Sequence, residues 1–338
     1  MAAFYDARGN TYFVASPEEI GRFAEIPRTA AEAAMARGQW AVRAIERICG
    51  RPNAGATAVP SGEGKRYLSD GLLVGPFPDK DAFGMLIVNT DGTLAERSGN
   101  GLTIFSQFLV DSGQANRTDA FVVRIYKPPA SLVEARVEAA VREGREGFWI
   151  DMGVPTFGLA AVDASPEHVG VSKFDGRGTL RVVDLERIEA SWTCSQFVNV
   201  GNPHCVTFLK DPGRLPSMEQ IGSRDWLPRL TAIANSTESD GERGAGRPCR
   251  KGINLQWASV LGPDSIAARV FERGEGPTLS SGSSATAVAS AARELGLLGA
   301  KTVNVVMPGG VAPVRFDEND GILKRVMLFG EAQRTNPR

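Results

Sequence analysis

The chain is short of histidine, of paired cysteines, of long apolar runs and of excess charge, and each shortage removes a class of function. Histidine occurs only twice, at His168 and His204, so a histidine-built metal centre has almost no ligands to draw on. The four cysteines, Cys49, Cys194, Cys205 and Cys249, are scattered without a C-x-x-C pair, which argues against a zinc site and against a disulfide framework. No uninterrupted apolar run approaches the ~18 residues of a membrane span. The opening MAAFYDARGN lacks the basic flank and apolar centre of a signal peptide. Lys plus Arg number 38 against 39 Asp plus Glu, so neither a nucleic acid nor a membrane surface has electrostatic support as a partner. A cytoplasmic protein with no metal and no cofactor is the expectation.

What remains is ordinary globular composition, 42% hydrophobic and 23% charged over 338 residues, enough for two domains with separate cores. Strand-like runs alternate with helical stretches. TYFVAS leads into Ser16, an N-cap followed by Pro and Glu. A helical stretch from residue 30 ends near Gly50, and the Pro- and Gly-rich residues 51–66 read as a loop. Strands GLLVG and FGMLIVN precede Ser98-Gly99-Asn100-Gly101, after which Leu102, Phe105, Phe108 and Leu109 recur at helical spacing until Gly113. The second half repeats this grammar. Strands FVVRIY, GFWIDMG, SQFVNV, CVTFL, INLQWASV and IAARVFERG precede Ser280-Ser281-Gly282-Ser283-Ser284 and the helix ATAVASAARELG, with Gly296 as its stop. The boundary between halves falls near residues 117–120, giving lobes 1–118 and 119–325, with the final strand, about 326–338, returning to the first.

Two decoys fail. SGEGKR at 61–66 lacks the first glycine of a phosphate loop, Val59 standing there, and Arg66 replaces its Ser or Thr. No G-x-G-x-x-G follows a strand, so a dinucleotide is unsupported.

The two Ser-Gly loops carry more. Each opens a helix, where unpaired N–H groups and the positive end of the helix dipole attract anions. Either loop alone reads equally well as an ordinary cap, because Ser is a favoured N-cap residue. Two further stretches add polar chemistry: GNPHC, residues 201–205, places His204 at a turn between strands, and FERGEGPTLSSG places Glu272 and Arg273 just before the second loop.

Taken in order, ARGNTYFV, NTDGTLAERSGNG, IDMGVPTF, NVGNPHCV, GINLQW, RVFERGEGPTLSSGSSATAV and VMPGGVAPVRF resemble the diaminopimelate epimerase family across most of the chain, apart from extra length at about 27–66. The resemblance implies an α/β fold of two similar lobes, each a curved, mostly antiparallel sheet wrapped around a central helix, with the active site in the cleft between them. It implies a pyridoxal-independent racemase or epimerase of amino-acid metabolism, acting on a small amino-acid or carboxylate substrate, and leaves room for a homodimer. In that family one cysteine removes the α-proton and a second supplies one to the opposite face; the matching positions here are Ser98 and Ser281. His204 and Glu272 match the polar groups beside those cysteines, His204 by Ser98 and Glu272 by Ser281. The N–H groups of Gly99, Asn100, Gly282 and Ser283 match the holders of the α-carboxylate. Asn10, Asn89, Asn202, Asn254, Glu272 and Arg273 match the residues that bind the substrate's far end and amino groups.

Ser284 and Arg8 depart from the family pattern, which has Gly and a small apolar residue there. The double serine departs most. A thiol ionises near pH 8.5 and an alcohol nearer 15.7, so an alkoxide costs on the order of 10 kcal/mol more to form. A serine can act here only with a neighbouring base, as in nucleophilic triads. Three alternatives to epimerisation therefore stand: a one-base double-bond isomerase or lyase using His204 or Glu272, a non-catalytic amino-acid-binding relative, and a trapped variant with serine engineered for cysteine.

Overall fold

The computed structural model describes residues 2–50, 67–127, 131–238 and 242–337; the loop expected at 51–66, with its SGEGKR decoy, lies outside them. The chain forms two compact units, Met1–Asp151 with Gly330–Arg338, and Met152–Phe329.

In the first unit, β1 (Ala3–Ala7) and β2 (Asn10–Ala15) form a hairpin whose turn holds Arg8 and Gly9 at positive φ. The capping box expected at Ser16 is formed, and opens α1 (Pro17–Gly21). The helical stretch after it breaks into α2 (Ala30–Met35) and α3 (Arg37–Ala44), closing in a π-turn at Ile45–Cys49. Trp40, Ala41, Ala44 and Ile45 bury against Leu72, Val74 and Leu86 from β3 (Gly71–Asp79) and β4 (Ala82–Asn89). A two-residue strand, β5 (Leu94–Ala95), folds back on β4 and leads into α4 (Gly99–Asp111). Strands β6 (Phe121–Lys127), β7 (Ser131–Arg142) and β8 (Arg145–Asp151) complete the meander.

The second unit uses the same order. After β9 (Thr156–Phe157) and the hairpin β10 (Val169–Phe174) and β11 (Arg177–Val182) come α5 (Val183–Ile188), β12 (Ser195–Asn199) and β13 (Pro203–Phe208). Helices α6 (Met218–Ile221) and α7 (Trp226–Ala234) precede β14 (Asn254–Gly262), β15 (Ser265–Glu272) and the short β16 (Gly276–Thr278). Then follow α8 (Gly282–Glu294), β17 (Thr302–Met307), β18 (Gly310–Asn319) and β19 (Ile322–Gly330). The last strand, β20 (Gln333–Thr335), pairs with β1 in the first unit.

Among the described pairings within each unit, the parallel ones fall at matching places, β2–β3 and β4–β6 in the first and β13–β14 and β15–β17 in the second. The central helix of each unit packs against strands of its own sheet, α4 on β1, β2, β3 and β8 and α8 on β12, β13, β14, β15, β17 and β18, which is why both bury residues on most faces. Both helices run 13 residues. Each ends on a positive-φ glycine, Gly113 and Gly296, with the Gln114 N–H reaching the Leu109 carbonyl and the Leu297 N–H reaching that of Ala292. That is the Schellman closure, which a residue without Cβ accommodates best.

The expected boundary at 118 is corrected. Strands β6, β7 and β8 belong to the first unit because β6 pairs with β4 and the other two extend from it, so the division falls at Asp151/Met152. The fold class is as the sequence implied, mixed α/β in two similar units. Among the described residues no helix is long and apolar enough to cross a membrane.

Candidate active site

The two serine loops are built alike. Ser98 caps α4 from an extended backbone (φ −143°, ψ 119°), its Oγ accepting the Gly101 N–H at 3.0 Å. Ser281 caps α8 with φ −151° and ψ 126°, its Oγ accepting the Ser284 N–H at 3.3 Å. Gly99 and Asn100 open α4 and Gly282 and Ser283 open α8, positions whose N–H groups have no carbonyl four residues back. Neither first turn carries an acidic residue of its own.

Strand register extends the likeness. Tyr12 on β2 pairs with Gly71, which faces Asn89. On β13, His204 pairs with Asn254, one residue before the Leu255–Phe271 pair that adjoins Glu272. Asn89 and Glu272 each precede their serine by nine positions (98 − 89 and 281 − 272). The two units therefore hold Asn89 and Glu272 in equivalent places, and there the chemistry diverges.

In the second unit Ser281, only 5% exposed, donates its hydroxyl to Glu272 Oε1 at 2.7 Å. Ser283 Oγ lies 3.4 Å from the same hydroxyl. Glu272 as a residue is half-buried, yet its carboxyl lies deep enough that burial raises its pKa; the Ser281 hydrogen bond offsets only part of this. In the first unit Asn89 offers an amide, which donates to Thr93 Oγ1 at 2.9 Å. Among the described residues Ser98 has no carboxylate or imidazole partner within its own unit.

His204 is fully buried on β13. Its Nε2 lies 2.8 Å from Asn202 Oδ1, and its Nδ1 lies 2.9 Å from Gln256 Nε2, so both ring nitrogens are engaged inside the second unit. Burial first, and then the nearby Arg273 charge, push its pKa down to about 3. The expectation that His204 serves Ser98 as a base meets a neutral ring already committed on both sides. Gln256 also donates to Ser284 Oγ at 3.0 Å, and its own Oε1 is buried without a partner. Ser284, the departure from the family glycine, is thus anchored by a residue that the sequence pattern hides inside the apolar run INLQW.

The other candidates sit at strand ends. Asn10 starts β2 and donates to Asp70 Oδ2 at 3.1 Å. Asn202 stands in the turn after Gly201, which adopts φ 99°. Asn254, 4% exposed, accepts the Arg273 N–H through Oδ1 at 2.9 Å, and the exposed Arg273 guanidinium donates to the Lys251 carbonyl at 2.8 Å. Arg8 makes an ion pair with Glu331 at 3.6 Å. Among the described residues no group of three His, Cys, Asp or Glu side chains could hold a metal ion.

The profile of the diaminopimelate epimerase family matches residues 196–335. The chain is 30% identical over 316 residues to diaminopimelate epimerase 2 of Nostoc sp., covering 90% of this chain and 85% of that protein. It is 30% identical over 268 residues to the diaminopimelate epimerase of Microcystis aeruginosa, covering 78% and 81%. Its fold is that of a Bacillus anthracis phenazine biosynthesis protein of the PhzF family (TM-score 0.58, 11% identity, 99% and 96% covered). It is also that of a probable proline racemase from Agrobacterium radiobacter (TM-score 0.55, 15% identity, 99% and 90% covered). The chain belongs to the diaminopimelate epimerase family of isomerases.

Proposed function

We propose that the chain is a cofactor-independent isomerase that moves a proton at the α-carbon of an amino-acid-like carboxylate substrate, with Ser281 and Glu272 as its working pair. The observation that carries this reading is the 2.7 Å hydrogen bond from the Ser281 hydroxyl to the Glu272 carboxylate at the first turn of α8. Alone, Ser281 would have to form an alkoxide, at a cost on the order of 10 kcal/mol above a thiolate. Paired with Glu272 it need not. As Oγ accepts the α-proton, its own proton passes to Glu272 Oε1, so the carboxylate ends neutral and the negative charge rests on the substrate. Burial makes Glu272 a stronger base than an exposed carboxylate. The substrate carboxylate, and the charge that grows beside it, suit N–H groups at a helix start, here those of Gly282 and Ser283 on α8 beside the Ser281–Glu272 pair. Within the same unit Asn202, Asn254 and Arg273 supply the polar chemistry for the substrate's far end.

A second reading, a one-base isomerase that shifts a double bond, is favoured by one observation: Asn89 stands where Glu272's equivalent would serve Ser98. Solvent deuterium incorporation at Cα, followed by NMR over amino acids and dicarboxylates, separates the two. Diaminopimelate is the first substrate to try, from the name of the Nostoc relative. Exchange with inversion supports the epimerase. Exchange with retention or double-bond migration supports the one-base enzyme. Binding without exchange contradicts both.

A further inference from the structure

We infer that Gln256 is a positioning residue that fixes the tautomer of His204, making this histidine a hydrogen-bond donor to Asn202 and not a base. A primary amide nitrogen has two hydrogens and no acceptor capacity. Gln256 Nε2 meets His204 Nδ1 at 2.9 Å and Ser284 Oγ at 3.0 Å, so each of its hydrogens has an acceptor. A ring nitrogen that accepts carries no proton of its own, which leaves the imidazole proton on Nε2, 2.8 Å from Asn202 Oδ1. With one Oδ1 lone pair taken by the ring, Asn202 keeps its two amide N–H groups and the second lone pair to offer a ligand.

The opposite arrangement is costlier. Turning the Gln256 amide over would bury its NH2 where Oε1 now sits without a partner. Orphaned N–H groups are rarer in protein interiors than under-satisfied carbonyl oxygens, because the oxygen has a second lone pair and no proton to place. Gln256 is 1% exposed, and His204 and Ser284 are fully buried, so no water shell relaxes the choice. The relay ties three separate elements together: Ser284 on α8, Gln256 on β14 and His204 on β13. It also gives the Ser284 departure a purpose, since a glycine there would leave one Gln256 hydrogen unpaired.

The test is a nitrogen NMR spectrum of the 15N-labelled full chain, in which only two histidines contribute and His168→Gln identifies the other. At neutral pH the expected His204 pattern is a protonated Nε2 and an unprotonated Nδ1. In Gln256→Leu, which removes the donor, the expected spectrum shows both tautomers. In Gln256→Glu the carboxylate demands a proton on Nδ1, and the ring is expected to carry two. A protonated Nδ1 in the parent protein overturns the inference, and so does an unchanged single tautomer in folded Gln256→Leu. The parent spectrum decides even where a variant fails to fold.

The functional arm rests on the isomerase reading. Loss of one buried hydrogen bond in the relay is expected to raise KM about tenfold in Gln256→Leu with kcat little changed, as befits a residue that orients a binding group. An equal fall in kcat with unchanged KM contradicts the positioning role. If no substrate exchanges at all, the isomerase reading fails while the tautomer assignment stands or falls by its own spectrum.

Discussion

At residue scale, burial acts on His204 and Glu272 in opposite directions, and the pH behaviour of the protein follows from both. His204 has its pKa lowered from 6.5 to about 3, so between those values the unfolded chain binds a proton that the folded chain does not. Stability from this site is complete above 6.5 and is lost as pH falls towards 3, at up to about 1.4 kcal/mol per pH unit. Urea titrations from pH 7 to 4 should show that slope, and His204→Gln should flatten it. Glu272 has its pKa raised, so it behaves in reverse: its folded carboxyl holds a proton that the unfolded one releases, and stability falls as pH rises through the raised value.

The serines make a second prediction at this scale. Ser98→Cys with Ser281→Cys restores two thiols and removes about 10 kcal/mol of deprotonation cost. A silenced epimerase should gain Cα exchange with inversion in the double variant and far less in either single one. A site adapted to the Ser281–Glu272 pair should instead lose its parent activity and gain no inversion. The second outcome is expected, because Ser284 is tied to Gln256 and Arg8 to Glu331, and a simple trap would need neither change.

At the scale of elements, the serine loops were the most legible feature of the chain. Ser before a helical period, and Gly after it, mark a cap and a stop by local chemistry alone, and Ser98, Gly113, Ser281 and Gly296 all take those places. What could not be read was tertiary register. Gln256 sits in a buried strand with no polar periodicity, and only the β13–β14 pairing brings it to His204. Strands β10 and β11 were missed because glycines and charged residues break up their short apolar runs, whereas β7 alternates Val133, Ala135 and Val137 with Glu134, Arg136 and Glu138 and was legible by its period of two, though it too was missed. The same scale yields a packing prediction. A Cβ on Gly330 would come 2.1 Å from Thr103 Oγ1, and that hydroxyl donates to the Gly99 carbonyl in the first turn of α4. Gly330→Ala should cost about 1–3 kcal/mol of stability through overpacking. Because the displaced threonine touches the serine loop, amide shifts at Gly99 and Asn100 should accompany the loss. A variant with parent-like melting and unshifted amides would contradict the contact.

At the scale of the whole molecule, the sequence returns a final strand of about 326–338 to the first unit, which holds Gly330–Arg338, but the position of the boundary between units was not legible. Nothing local to residues 118–121 reveals that β6 will pair in parallel with β4, 40 positions earlier in the register that joins Val123 to Phe83 (123 − 83). A chain ending at Phe329 would lose the β20 partner of β1 and the Glu331 partner of Arg8 and Arg145. Hydrogen exchange should then show protection lost in β1 and kept in β14, whose partners all lie in the second unit; equal loss in both would contradict the division into units.

The proposed proton relay runs from the substrate α-carbon through Ser281 to Glu272. It is tested most directly by the rate of Cα–H loss in D2O for the parent and for Glu272→Gln, followed by proton NMR on the best substrate found. Glutamine can still accept the Ser281 hydrogen bond but cannot take its proton, so the loop should keep its shape while the chemistry stops. The expected result is exchange in the parent and a loss of about a hundredfold or more in the variant, the usual contribution of a positioned general base. Exchange in Glu272→Gln at the parent rate, with the variant folded, would contradict the account.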